Sequence, residues 1–357
     1  MSYPPVTIAG TELRELTSSS TGRDYHLYVH LPDGYAESEK SYPVLYLLDG
    51  QWNFKLLASI YLGLRHDMFV PEMIIVGITY GGESPDYKRL RAMDYTPTQA
   101  EGMEHTGDGP MFLAFLKEEL IRFVEKNYRA DSGDRALGGS SFGGLFVMYA
   151  LFHEPELFHR YISASPSLWW DDKVTFRYAQ AFAEKNSKLP VRLFLSVGEL
   201  EPKQLGMVEA MKQMAQILEE RKYEGLVLTS MVISGERHAG QKPEAFNRGL
   251  RAVFAKLAIE LSPDQLEVYV GTYQRVVEDG SDEWGSFTFT VTREGDRLFG
   301  QYSGDDEVRD ELFAETETHF FGRVEPAELT FNRDADGKVE SVTVHSSSGD
   351  RVVERVE

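Results

Sequence analysis

Gly138-Gly139-Ser140-Ser141-Phe142-Gly143-Gly144 is the stretch whose reading decides the fold. It holds the pattern G-x-S-x-G in one frame, Gly139-Ser141-Gly143; the frame centred on Ser140 fails because its fifth position is Phe142. The pattern describes a sharp strand-to-helix turn that lifts a serine hydroxyl above a sheet edge, and glycines on either side let strand and helix approach closely. The flanks agree: 135–140 reads as a buried strand and 142–152 has helical spacing. Working outward, strand candidates at 25–31, 43–49, 73–79, 160–164, 191–197 and 226–233 alternate with helical segments at 52–64, 110–128, 205–222 and 244–261. That alternation predicts an α/β domain over residues 1–262, a doubly wound, mainly parallel sheet covered on both faces.

After Ser262-Pro263-Asp264 the texture changes. Short alternating runs at 284–292, 298–302, 327–332 and 339–345 are punctuated by Gly295-Asp296, Gly304-Asp305 and Asp336-Gly337, which read as hairpin turns. These predict a second, all-β domain over 263–357. No helix is read within it, so one sheet face has to be covered internally. Trp284, Phe287, Phe289, Phe299, Tyr302, Phe313, Phe320, Phe321 and Phe331 supply the bulk for a closed or nearly closed barrel without a catalytic group.

Composition narrows the function. With 42% apolar residues in 357, the chain can bury a full core. A net charge of −20 argues against nucleic acid, whose phosphates demand a basic face. Residues 261–357 hold 23 acidic against 9 basic side chains, a net of −14, so the excess is concentrated in the tail. No run reaches the roughly 18 apolar residues of a membrane helix, and no membrane partner is expected. The opening Met1-Ser2-Tyr3-Pro4-Pro5 lacks the basic and apolar regions of a signal peptide, which points to the cytoplasm. A signal already removed would leave the same picture and place the protein in the periplasm or outside the cell. The chain has no cysteine, which excludes thiolate metal sites and a cysteine nucleophile. Homo-oligomer formation is left open.

A serine hydroxyl is a weak nucleophile until a base takes its proton. With the order serine, acid, histidine expected of this fold, the base follows the last core strand. Of nine histidines only His238, in Ser234-Gly235-Glu236-Arg237-His238-Ala239-Gly240, has that place. Ser141 and His238 are expected within hydrogen-bond reach. The acid belongs just after 191–197, where Gly198-Glu199-Leu200-Glu201 offers two carboxylates. Reach past the strand end favours Glu201; Glu199, or a dyad without an acid, is the alternative. Oxyanion donors are expected from the backbone N–H of Phe142 and of Gln51 in Gly50-Gln51-Trp52. Trp169 and Trp170 read either as an aromatic wall for an acyl group or as core packing, with Trp169 the better pocket candidate. Arg91 reads as a contact for an anionic substrate or as a surface salt bridge.

The stretches Leu47-Leu48-Asp49-Gly50, Arg91-Ala92-Met93-Asp94-Tyr95-Thr96-Pro97, Gly139–Gly144, Ser165-Pro166-Ser167-Leu168-Trp169-Trp170, Val197–Glu201 and His238 occur in that order. In this the chain resembles the bacterial putative-esterase family of α/β-hydrolases, which includes siderophore, feruloyl and acetyl-xylan esterases and mycolyltransferases. The siderophore-esterase branch is most similar, over roughly residues 10–260. The resemblance implies a serine carboxylic-ester hydrolase working through an acyl-enzyme without cofactor or metal, on a small-molecule ester: a siderophore lactone, an aryl ester or an acetylated sugar. It implies Ser141 as nucleophile, His238 as base and Glu201 as acid, although feruloyl enzymes usually carry Asp there. An acyltransferase, or a binding protein that kept the fold, is the alternative. The tail resembles the lipocalin-like β module that follows some serine β-lactamase-type enzymes and esterases. It does so at 266–273 and 331–339, and Asp334-Ala335-Asp336-Gly337 reads as a turn rather than a calcium loop.

Overall fold

The computed structural model describes residues 6–277, 285–303, 309–323, 328–346 and 349–356. In chain order the first part runs β1 (Thr11–Thr17), β2 (Asp24–His30), β3 (Tyr42–Leu47), α1 (Gly50–His66), β4 (Ile74–Tyr80), α2 (Tyr87–Tyr95), α3 (Gly109–Phe115), α4 (Ile121–Asn127), β5 (Ala130–Ser140), α5 (Phe142–His153), β6 (Arg160–Ala164), α6 (Trp170–Ala183), β7 (Arg192–Gly198), α7 (Met207–Arg221), β8 (Val227–Ile233) and α8 (Lys242–Val253). Its eight described strands form one sheet in the order β1-β2-β4-β3-β5-β6-β7-β8. β1, β2 and β4 pair antiparallel, and every pair from β4 to β8 is parallel. This is an α/β-hydrolase-like sheet.

Strand periodicity explains why both faces are covered. Successive side chains point to opposite faces, and the two large core clusters divide each strand that way. Tyr46, Leu193 and Leu195 face one layer, with Phe112 and Phe146. Leu45, Leu47 and Phe194 face the other, with Phe54 and Phe246. Such a strand is apolar at nearly every position, which is why β3, β4 and β7 are legible as continuous runs; β5 is buried only over its last five residues, Ala136–Ser140.

Three features depart from the sequence reading. β8 is not a buried strand: it is the sheet's last strand and largely exposed at Val227, Thr229 and Ser230. The segment read as one helix over 110–128 is α3 and α4 joined through a π-helical turn at Leu116–Leu120. The helix read to 261 stops at Val253.

By contacts the chain divides into two compact units, one taking in the chain to Leu64 and Val70–Phe254, the other Arg65–Phe69 and the chain from Ala255. The second unit contains α9 (Pro263–Glu267), β9 (Gly271–Arg275), β10 (Phe287–Glu294), β11 (Arg297–Tyr302), β12 (Asp310–Ala314), β13 (His319–Gly322), β14 (Glu328–Arg333), β15 (Val339–His345) and β16 (Arg351–Arg355). The eight described strands form a closed antiparallel barrel in the order β10 to β16 and then β9. It does have a helix of its own. α9 carries a capping box, the Ser262 hydroxyl with the Gln265 amide, and it adds Leu266 to the barrel core.

The aromatic residues divide by register. Phe289, Phe320 and Phe331 lie in the core, and Phe287 and Tyr302 pack at its edge. Phe299 and Phe313 belong to the other face, because their strand neighbours Leu298, Gly300, Leu312 and Ala314 take the inward positions. Phe299 lies under the Arg297 and Arg309 guanidinium groups, and Phe313 under Arg323. Phe321 packs against Phe313 with the rings tilted, outside the core cluster. Trp284 and Gly304-Asp305 lie outside the described residues. Asp334 Oδ1 accepts from the backbone N–H of Asp336 and of Lys338, so this carboxylate caps its own turn.

Candidate active site

The site is built on consecutive strand ends. β5 stops at Ser140 and α5 starts at Phe142, which leaves Ser141 to make the whole reversal of direction. Its backbone has φ 63° and ψ −121°, a conformation that costs a non-glycine residue on the order of 1–3 kcal/mol. Neighbouring chain holds it there. The Ser141 N–H donates to Ala164 O at 3.0 Å, and its carbonyl accepts from Leu145 N at 2.9 Å and Ser167 N at 3.2 Å. A side chain at Gly139 would put Cβ 2.6 Å from the Gly143 carbonyl, so the strand and helix could not close on the turn. α5 then runs buried from Gly143 to Phe152.

The carboxylate and imidazole come from the ends of β7 and β8. His238 Nδ1 lies 2.9 Å from Glu201 Oε2 and 3.1 Å from Oε1. Glu201 is 4% exposed. Burial pushes its carboxyl pKa up, but hydrogen bonds from His238 and Ser165 outweigh burial, and the net direction is down. Glu199 does a different job. It is exposed and accepts from the Ser234 hydroxyl at 2.8 Å and the Gly235 N–H at 2.7 Å, tying down the start of the histidine loop. The two loops lie close: Leu200 N–H donates to Glu236 O at 2.8 Å, and a Cβ at Gly198 would meet that same oxygen at 2.6 Å.

Among the described residues no hydrogen bond joins Ser141 Oγ to the His238 ring, where the sequence reading expects one. The serine side chain is half-buried.

Two helix N-termini flank the serine. Backbone N–H groups in a first helical turn have no partner within the helix, and those of Phe142 in α5 and Gln51 in α1 meet no acceptor among the described residues. Asp49 precedes α1 with φ 56° and 1% exposure. Its carboxylate accepts two hydrogen bonds from Arg91, both at 2.8 Å. Arg91 is therefore in a buried bidentate pair rather than a surface salt bridge, with 13% of its side chain exposed. Its guanidinium lies 5.3 Å from the Phe142 ring and 5.6 Å from that of Trp52. Lys242, four residues beyond His238, donates to Asn53 Oδ1 at 3.2 Å, and Asn53 Nδ2 donates to Leu48 O. Neither the Asp49–Arg91 pair nor this bridge is foreseeable from spacing, since both join distant segments.

The two tryptophans separate. Trp170 is fully buried, and its Nε1 donates to Thr98 O and Oγ1, both at 3.2 Å. Trp169 is half-buried, 6.3 Å from the Phe142 ring, and its Nε1 has no hydrogen-bond partner among the described residues. The Gln51 side-chain amide is likewise buried without a partner at either atom among the described residues. Trp169, Phe142 and Gln51 thus combine apolar surface with unspent hydrogen bonds. Among the described residues, no group of three or more His, Asp or Glu side chains is placed to hold a metal ion, and no helix is long and apolar enough to cross a membrane.

A strained serine on a strand-to-helix turn, with a histidine–carboxylate pair at neighbouring strand ends, is the arrangement of an α/β-hydrolase esterase. Residues 18–252 match the putative esterase family, and the chain belongs to it. It is 30% identical over 261 residues to the ferri-bacillibactin esterase BesA of Bacillus subtilis, covering 69% of this chain and 90% of that one. A Bacillus cereus BES protein of known structure superimposes with a TM-score of 0.65 at 28% identity, over 71% of this chain and 98% of the other. An IroE-like serine hydrolase from Shewanella oneidensis gives 0.64 at 28% identity, over 72% and 84%. Residues 255–354 match a domain of unknown function (DUF3471).

Proposed function

We propose that this esterase cleaves siderophore esters through an acyl-enzyme on Ser141. His238 Nε2 takes the Ser141 proton as Oγ adds to the substrate carbonyl, while Glu201 holds Nδ1 and stabilises the imidazolium. The oxyanion formed is met by the N–H groups of Phe142 and Gln51. Collapse breaks the ester C–O bond, and the alcohol leaves with the proton from His238. Water then repeats the cycle on the acyl group and frees Ser141. Trp169 and Phe142 offer apolar surface to the acyl side, and the Gln51 amide offers a donor and an acceptor to a polar substituent.

The observation that carries this reading is the Glu201–His238 pair at 2.9 Å, set at the strand ends beside the strained Ser141 turn. The siderophore substrate is drawn from the ferri-bacillibactin esterase likeness, which covers 69% of the chain. Competition among an enterobactin-type lactone, methyl ferulate and an acetylated xylo-oligosaccharide tests it. The lactone should be turned over with a kcat/KM at least about tenfold above the others. Preference for the ferulate or the acetylated sugar would refute the substrate, and acyl transfer to an alcohol at the expense of hydrolysis would refute the reaction.

A further inference from the structure

Ser165 follows β6 directly, between the strand ends that lead to Ser141 and Glu201. Its Oγ donates to Glu201 Oε1 across 2.6 Å. Both residues are interior, with exposures of 0% and 4%. The direction of the bond is fixed, because an ionised carboxylate accepts and has no proton to give. With Oε1 held by a hydroxyl, Oε2 is the oxygen that lies closer to His238 Nδ1, 2.9 Å against 3.1 Å.

The backbone bends to put the hydroxyl there. Ser165 has φ 41° and precedes Pro166, two conditions that conflict for an L-residue. Its N–H is fastened to Ser196 O at 2.7 Å. Strain of this kind persists where surrounding structure over-determines it, and it concentrates at functional sites. Serine is also the smallest side chain that can cap the carboxylate.

We propose that Ser165 is a positioning residue for ester hydrolysis: its hydroxyl locks the Glu201 carboxylate so that the acid orients His238. This rests on Glu201 acting as the triad acid. The hydroxyl does two things at once. It stops the carboxylate rotating away from the ring, and it favours the ionised form, which stabilises the imidazolium.

The test removes the hydroxyl in two ways. Ser165→Gly suits the positive φ and keeps the backbone; Ser165→Ala keeps the Cβ. Hydrolysis of a p-nitrophenyl ester is followed between about pH 5 and pH 9 for both. The same is done for Glu201→Gln and for the Ser165→Gly/Glu201→Gln double variant. With Ser165 alone changed, kcat should fall about tenfold with KM held within about twofold. The acidic limb of the rate profile should move to lower pH, since a carboxylate no longer held against the ring stabilises the imidazolium less. In the Glu201→Gln background the Ser165→Gly change should cost less than about twofold, because the group it acts through is gone. A loss that simply multiplies in the double variant, or a limb that stays in place, overturns the proposal. If Glu201→Gln is crippled and both Ser165 variants match wild type, the proposal alone is wrong. If Glu201→Gln turns over normally, the triad reading itself has failed and takes the proposal with it.

Discussion

Each unit of the molecule carries a hydroxyl, an imidazole and a carboxylate in a row, and the two rows differ instructively. In the barrel, Thr330 Oγ1 lies 2.8 Å from His345 Nε2, and His345 Nδ1 lies 2.9 Å from Asp350 Oδ1. In the α/β unit the carboxylate–imidazole bond is made and the serine–imidazole bond is not. Counted by hydrogen bonds, the barrel row is the more complete. Its surroundings are not those of a nucleophile. Thr330 lies within strand β14, with ladders to β13 and β15 on either side, and its hydroxyl also meets His319 Nδ1 at 2.9 Å. Ser141 is on a strained turn at the start of a 12-residue helix, with unspent backbone N–H groups beside it. A row of hydrogen bonds makes a polar cluster. Oriented donors for the developing charge make a catalyst.

Ser141→Ala should have the largest effect, lowering kcat by about four to six orders of magnitude in a folded protein. Next comes Glu201→Gln, expected to cost about 10²- to 10⁴-fold, while Glu199→Gln stays within about threefold. A larger loss from Glu199→Gln would reverse the two carboxylates' roles. Both are read from steady-state ester hydrolysis.

In the barrel the expected losses are of stability. Phe331→Ala removes a core ring and should cost about 3–5 kcal/mol in denaturant unfolding, against about 1 kcal/mol for Phe299→Ala on the other face. Equal costs would mean that the register assigned to β11 is wrong. Glu328 gives a pH-dependent term. Burial raises its pKa, but hydrogen bonding to His319 and attraction to Lys256 bring it down to about 2. Because the folded value is depressed, its stabilisation is complete above the unfolded carboxylate value of about 4.3 and is lost as pH falls toward about 2. Glu328→Gln should therefore destabilise the barrel transition at neutral pH and converge on wild type near the bottom of that window. The smallest effect is expected of Thr330→Val, which should leave ester turnover within about twofold of wild type. A drop comparable to that of Ser141→Ala would give the barrel row a catalytic role.

Legibility in the sequence followed the physics of each element. β3, β4 and β7 are apolar at nearly every position because helices cover both faces, so their existence and order can be read directly. α5 and the turn before it were legible because glycine on both sides of one serine has few other uses. β1, α2 and α6 lie outside the sequence reading: β1 is an exposed edge strand, α2 is short, rich in charge and buried only at Asp94 and Tyr95, and α6 mixes charged with apolar positions. β8 was mistaken for a core strand because uncharged residues in Val227–Ile233 look the same at an edge as in the middle. At the site, chain order points to Ser141 and His238 and reach past the strand end points to Glu201, and of these the structure brings Glu201 and His238 into contact. Ser165 and the Asp49–Arg91 pair act across 36 and 42 residues of sequence, and only the fold brings their partners together. In the barrel, alternation showed which residues share a face without showing which face is inward, which is why Phe299 and Phe313 were placed in the core.

The central claim is that one serine, on the turn between β5 and α5, is the nucleophile. A fluorophosphonate reacts covalently with a serine activated by a neighbouring base, so intact-mass and peptide mass spectrometry of the treated full chain test it directly. The account predicts one adduct, on the peptide containing Ser141, formed in step with the loss of esterase activity and absent from Ser141→Ala. An adduct on another residue that tracks the loss of activity, or a Ser141→Ala protein that still hydrolyses esters at the wild-type rate, would contradict it.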